Sequence, residues 1–126
     1  MGATGRCVAR KITHPRRGEV WLVNFDPSIG AEIRKTRPAL IIQNDIGNEN
    51  SPVTIVAAIT STLKKPYPFQ VFLNAGEAGL DVDCVATLNQ IRSVDRARLL
   101  RRLGSVEGST MRKVDQAIMV SLGIAG

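Results

Sequence analysis

The chain has 126 residues, 44% of them apolar. That is the length of one domain, able to bury roughly two-thirds of its unfolded surface, and too apolar for a disordered polymer. The net charge of +6 is local: residues 1–17 hold Arg6, Arg10, Lys11, Arg16 and Arg17 and no acid, and taking these five from the 17 bases leaves 12 against 11 acids. No apolar run approaches the ~20 residues of a membrane span, and the basic N-terminus lacks the apolar stretch of a secretory signal, so a cytoplasmic protein with no membrane partner is expected. Residues 1–16 read as a flexible, solvated extension, or alternatively as a basic arm with salt-dependent, sequence-blind affinity for nucleic acid. A single domain is expected over 17–126. Cys7 and Cys84 lack metal spacing and form no C-x-x-C. Cys84 reads as a small buried hydrophobe, and a disulfide is not expected in the cytoplasm.

Residues 19–25 alternate as a strand, with Val20 and Leu22 on one side and Trp21, Val23 and Phe25 on the other. Trp21 and Phe25 read as core or dimer surface. Residues 26–36 form a long loop, and loops of that length inside compact domains are often functional. Pro38, without an N–H, belongs at the start of a strand, and 39–43 is a buried strand. Residues 44–48 read as a turn. The β-branched run 53–59 is a second buried strand. Residues 61–68 are polar and broken by Pro66 and Pro68, 69–73 is a third short strand, and 74–80 is a loop. Residues 84–87 and 91–93 read as two short strands around Leu88, Asn89 and Gln90. Asp95 caps one turn over 96–99, and 101–106 is a last strand. Ser109 caps a helix from 110 to about 122, in which Met111, Val114, Ile118 and Leu122 recur at helical spacing with Ala117 and Val120 alongside. Gly123 ends it. Many short strands and one terminal helix point to a mainly β protein, a small β-barrel with a packed helix.

The runs 39–43 and 53–59 each have a polar end. Arg37 stands where the first begins, and Thr60 and Ser61 where the second stops. As paired strands they would fix a cation and two hydroxyls on rigid backbone, which suits a phosphate. Much else is missing. The one histidine, His14, lies near the N-terminus, so a two-histidine ribonuclease is impossible. No Walker loop, nucleophile elbow or zinc motif is present, and Asp81 and Asp83 alone are weak cation ligands. Neither a metal nor a cofactor is expected. If the chain cuts a phosphodiester, the attacking group is the RNA's own 2′-hydroxyl, which predicts 2′,3′-cyclic phosphate and 5′-hydroxyl ends and no action on DNA.

That reaction needs a proton acceptor for the 2′-OH, a cation on the non-bridging oxygens and a proton donor for the leaving oxygen. Arg37 suits the second role through its permanently charged, bidentate guanidinium, although a surface ion pair at a strand edge is an equally good reading from the residue alone. Thr60 can donate to a phosphate oxygen, or simply end a strand. Ser61 beside it can help hold the phosphate. Glu32, in the long loop, is the nearest candidate base by order. Tyr67, between two prolines, is a stacking platform for a base or a surface aromatic. Asn44, Asn89 and Gln90 can read base edges, or serve as turn residues. Arg92, Arg96, Arg98, Arg101 and Arg102 read as a solvated basic face, with the acidic tail of a partner as the other use.

Four blocks in order, R-G-E-V-W-L-V-N-F at 17–25, T-R-P at 36–38, V-A-A-I-T-S at 56–61 and L-N-Q-I-R-S-V-D at 88–95, resemble the MazF/PemK toxin endoribonucleases. The likeness covers about 17–124. It implies an SH3-like barrel with a C-terminal helix and a sequence-specific, metal-independent cut in single-stranded mRNA. It implies a homodimer with RNA in grooves at the subunit interface, and a cognate antitoxin whose C-terminal segment blocks those grooves and with which the toxin binds DNA. It places Arg37 and Thr60 on the family's catalytic arginine and threonine, and favours Gln90 and Asn89 as base readers. An alternative arginine–aspartate site of some members falls on Thr87 and Asn89 and is absent. Two rivals remain: a poison of the same fold that binds DNA gyrase, and a non-catalytic nucleic-acid-binding barrel.

Overall fold

The computed structural model describes residues 14–25, 36–61 and 66–124. Cys7, Glu32, the basic residues before His14 and the loop at 26–35 lie outside the described residues. Six antiparallel strands, β1 (Glu19–Asn24), β2 (Thr36–Ile41), β3 (Val53–Thr60), β4 (Gln70–Leu73), β5 (Cys84–Asp95) and β6 (Leu99–Ser105), form one sheet in the order β4-β5-β3-β2-β1-β6. The sheet curls into a half-barrel closed by a C-terminal helix, as in the SH3-like barrel expected. Single-residue register shifts between β1 and β6 supply part of the curl.

Both faces of the central strands are covered. Leu40, Ala57 and Ile59 face the main core with Val20, Leu88 and Val114. Val23, Ala39, Ile41, Val56 and Val94 form a second cluster, against which Trp21 and Phe25 pack. That is why 39–42 and 55–59 read as unbroken apolar runs rather than alternating ones. Pro38 sits inside β2, opposite Leu22, not at its start. β2 pairs with β3 only from Ala39 onward, so at Pro38 one side of the strand is unpaired, where a missing N–H costs least.

Three segments depart from expectation. Residues 44–48 do not form a simple turn but open a short helix, α1 (Asp45–Asn50), whose N-cap Asn44 accepts from the Gly47 N–H at 2.8 Å. Asn48 is fully buried in it. Its Oδ1 accepts from Thr54 Oγ1 at 2.7 Å and Gln43 Nε2 at 3.0 Å, and its Nδ2 donates to the Gln43 carbonyl at 2.9 Å. Asn48→Ala would leave the buried Thr54 hydroxyl without its acceptor. The expected loss is about 2 kcal/mol in urea unfolding; an unchanged midpoint would refute it.

The segments 84–87 and 91–93 are one strand, β5. β3 pairs Ala57 with Ile91 and Ala58 with Thr87, so Leu88, Asn89 and Gln90 bulge out between consecutive pairs. Leu88 anchors the bulge: it is fully buried, donates its N–H to Phe69 at 2.8 Å and accepts from Ser121 Oγ at 2.6 Å. The C-terminal helix, α2 (Gly108–Leu122), starts two residues early with Glu107 at its N-cap, so Ser109 lies inside its first turn and is not the cap. Its core-facing stripe is Val114 and Ala117, both buried, with Met111 and Ile118 partly buried beside them. Val120 and Leu122 are more than half exposed instead of completing the stripe. Gly123, at φ +73°, ends the helix as expected.

The chain is already part of the packed fold at Pro15, which is fully buried. Arg17 ties this end down, pairing with Asp115 at 2.7 Å and donating its backbone N–H to Asp45 at 2.7 Å. That backbone donor holds the Asp45 carboxyl below its ordinary 3.8; partial burial opposes it and the Asn48 side chain assists. A carboxyl lowered on folding stabilises the protein above its unfolded pKa and loses that contribution as pH falls through the folded value. Asp45→Asn is therefore expected to be less stable than wild type at pH 7 and to converge with it as pH falls through the folded value of the carboxyl. Parallel stability–pH curves would overturn this.

Among the described residues no helix is long and apolar enough to cross a membrane. Cys84 is buried, as expected, with its Sγ donating to the Val82 carbonyl at 3.2 Å. Burial, then the neighbouring Asp83, push its thiol up from 9.0, so it is protonated at neutral pH and unreactive.

Candidate active site

β1 and β2 stay paired through Val23–Arg37 and Asn24–Thr36. β3 and β5 stay paired through Thr60–Val85. Between these two pairs, the ladder joining β2 to β3 stops at Ala39–Ala58. Continued by two residues, that register sets Arg37 across from Thr60. Each is thus held by its outer neighbour while the inner edges part. The two residues singled out at the polar strand ends meet at the mouth of a cleft.

Two hollows open there, of about 780 and 500 Å³, and both are lined by Arg37, Pro38, Ile59 and Thr60. The first continues over Ser61, Leu80, Asp81 and Arg101. The second continues over Phe25, Ala58, Gln90 and Arg92. Leu80 and Leu103, packed in the main core, line only the first, and Phe25, packed on the second cluster, lines only the second. Arg37 and Thr60 therefore stand on the ridge between two chambers, each large enough for a nucleotide-sized group.

The electrostatics are one-sided. Arg37, Arg92 and Arg101 are exposed, and their side chains make no ion pair or hydrogen bond with any described residue. Asp81 is the lone carboxylate among the described residues lining either hollow. Unpaired guanidiniums converging on an open cleft suit a polyanion. Among the described residues no three His, Cys, Asp or Glu side chains come together as metal ligands would.

Of the residues proposed from sequence, the fold brings together Arg37, Thr60, Ser61 and Gln90. Asn89, exposed in the same bulge as Gln90, does not line either hollow. Asn44 is occupied as the cap of α1, away from both. Tyr67 is 64% exposed and stacks on Phe69, ring centroids 5.4 Å apart and planes 6° from parallel; it lines neither hollow. Glu32 lies outside the described residues.

The basic run divides in two. Arg96 donates to the Asn48 carbonyl at 2.8 Å, Arg98 to the Asn24 carbonyl at 3.0 Å, and Arg102 pairs with Glu19 at 2.8 Å. These three are structural ties, not a solvated face. Arg92 and Arg101 turn to the hollows, as do Phe25 and Asp81, and none of the four was singled out for the site from sequence.

Comparison with known proteins identifies the family of the chain. Residues 16–122 match the pattern of the PemK-like, MazF-like toxins of type II toxin–antitoxin systems. The chain is 41% identical over 114 residues to Endoribonuclease MazF9 of Mycobacterium tuberculosis, covering 86% of this chain and 97% of that protein. It is 41% identical over 110 residues to Endoribonuclease EndoA of Bacillus subtilis, covering 86% and 95%. Among solved structures it resembles a MazE–MazF complex from Deinococcus radiodurans, with TM-score 0.69, 29% identity, and coverage of 89% of this chain and 98% of that one. A pattern that spans most of the sequence and two relatives at this identity place the chain in the PemK/MazF toxin family, to which it belongs.

Proposed function

We propose that the chain is the endoribonuclease toxin of a type II toxin–antitoxin pair, cutting single-stranded RNA at a short sequence and so stopping translation. The observation that carries this is Arg37, a guanidinium without a described partner, set across from Thr60 at the mouth of a cationic cleft. Relatives at 41% identity named for endoribonuclease activity favour cutting over the gyrase-binding alternative and over a barrel that only binds.

In the proposed reaction the 2′-oxygen bonds to phosphorus as its proton leaves, and the bond to the 5′-oxygen breaks as that oxygen gains a proton. The products are a 2′,3′-cyclic phosphate and a 5′-hydroxyl. Arg37 holds the two non-bridging oxygens as charge builds on them. Thr60 Oγ donates a hydrogen bond to the same phosphate, and Ser61 helps to seat it. The nucleophile belongs to the RNA, so DNA is not cut and no metal is needed.

The working unit is a homodimer in the cytoplasm, with RNA in grooves at the subunit interface. Val120, Leu122 and Ile124, all more than half exposed on and just beyond α2, give a second copy an apolar surface to cover. The partner is a cognate antitoxin whose C-terminal segment blocks the grooves. The type II family pattern and the similarity to a MazE–MazF complex support it.

The test is incubation with a long mixed-sequence RNA in EDTA, with cut ends mapped, beside Arg37→Ala and Thr60→Ala. Cuts at one short motif with cyclic-phosphate ends, lost in both folded variants, are expected. Intact RNA with a folded wild type would reject the proposal and make supercoiling inhibition the next assay.

A further inference from the structure

Arg92 is held differently from the rest of its basic run. Its guanidinium carbon lies 5.1 Å from the centre of the Phe25 ring. Phe25 is half-buried and packs on the second core cluster, so the ring is a firm base. A guanidinium held over an aromatic ring is restrained while its N–H donors stay free. Arg92 is also exposed, so the group is accessible from the cleft. Both residues line the second hollow, which meets the first at Arg37 and Thr60. Gln90, lifted out by the bulge in β5, lines the same hollow.

We propose that the second hollow seats the base of a nucleotide next to the scissile phosphate, and that Arg92, stacked on Phe25, is the positioning residue that holds it. The base lies on the exposed guanidinium, and Gln90 meets its edge with one donor group and one acceptor. This rests on the reading of the chain as an RNA-cutting enzyme. Stacking on an arginine plane tolerates every base, so the edge contact sets the preference while the stack supplies most of the binding. A lysine at position 92 keeps the charge and loses the plane.

The experiment compares wild type, Arg92→Ala, Arg92→Lys and Phe25→Leu on a long mixed-sequence RNA, with cut ends mapped, steady-state kinetics on the preferred site, and folding checked by circular dichroism. Arg92→Ala is expected to lower kcat/KM about tenfold or more, chiefly through KM, and to flatten preference at one position beside the cut while the other positions stay sharp. Arg92→Lys does not restore it, and Phe25→Leu moves the same way by less. With an abasic residue at that position, wild type and Arg92→Ala become equal. Full rescue by Arg92→Lys would mean that charge alone matters and overturn the proposal, as would an unchanged motif in Arg92→Ala. Wild-type cleavage with unaltered variants overturns this inference alone; a folded wild type that leaves the RNA intact overturns the functional reading and this inference with it.

Discussion

Arg37→Ala is expected to lower kcat for RNA cleavage by about 10²–10³ while leaving the free energy of unfolding in urea within about 0.5 kcal/mol of wild type. The two halves of that expectation have one cause. Arg37 is exposed and bonded to no described residue, so the fold loses nothing when the side chain is shortened. Its backbone is held through β1, with Val23 opposite, so the side chain is rooted at the mouth of the cleft. A cation that meets charge as it develops contributes more to the transition state than to the ground state.

Arg37→Lys separates charge from geometry. An ammonium cannot hold two phosphate oxygens in parallel, so partial recovery, well short of wild type, is expected. Residual product should still end in a cyclic phosphate, because the nucleophile is unchanged. A folded Arg37→Ala that cuts within tenfold of wild type would remove Arg37 from the chemistry.

This much of the site was open to a reader of the sequence because strand ends are local. A buried strand ending in arginine and another ending in Thr-Ser fix where those side chains stand along each strand. Antiparallel pairing then needs only its register, set here by Ala39 and Ala58, to bring them together. The strands were legible for a related reason: Leu40, Ala57 and Ile59 face one cluster and Ala39, Ile41 and Val56 the other, and burial on both faces writes itself as continuous apolar sequence.

What could not be read depends on contacts far along the chain. The helix α1 is too short for a 3.6-residue period and contains Gly47. It is stabilised by Asn48 reaching Thr54 and by Arg96 donating to its carbonyl, and no local propensity announces either. The stretch 88–90 looked like a break because it is polar after Leu88, yet β5 runs through it as a bulge pinned by Phe69 and by Ser121 of α2. That bulge aims Gln90 into the second hollow and leaves Asn89 outside, a distinction between neighbours that composition cannot make. In the same way, five arginines of one run look alike until three find carbonyls or a carboxylate and two find the cleft.

The wall of the first hollow supplies a sharper test of packing. The short 3₁₀ turn Glu77–Gly79 lies directly on β6. A Cβ on Gly79 would collide with the Leu103 carbonyl oxygen and stand 2.8 Å from its carbon, and one on Gly104 would stand 2.7 Å from the Ala78 carbonyl carbon. Gly79 also sits at φ +76°. Gly76, three residues away, has φ +94° but nothing within 4 Å of its virtual Cβ. The pair therefore separates backbone strain from collision. Gly76→Ala is expected to cost about 1–2 kcal/mol, the left-handed penalty alone. Gly79→Ala adds overpacking against backbone that cannot swing aside as a side chain would, for a total of about 2–5 kcal/mol. Urea unfolding of the two variants measures the difference, and equal losses would show that the turn can lift off β6 without cost. Because Gly79 and Leu103 both line the first hollow, a Gly79→Ala protein that still folds should also cut RNA more slowly than Gly76→Ala. A turn forced away from β6 carries Asp81 with it and widens the chamber beside Arg37 and Thr60.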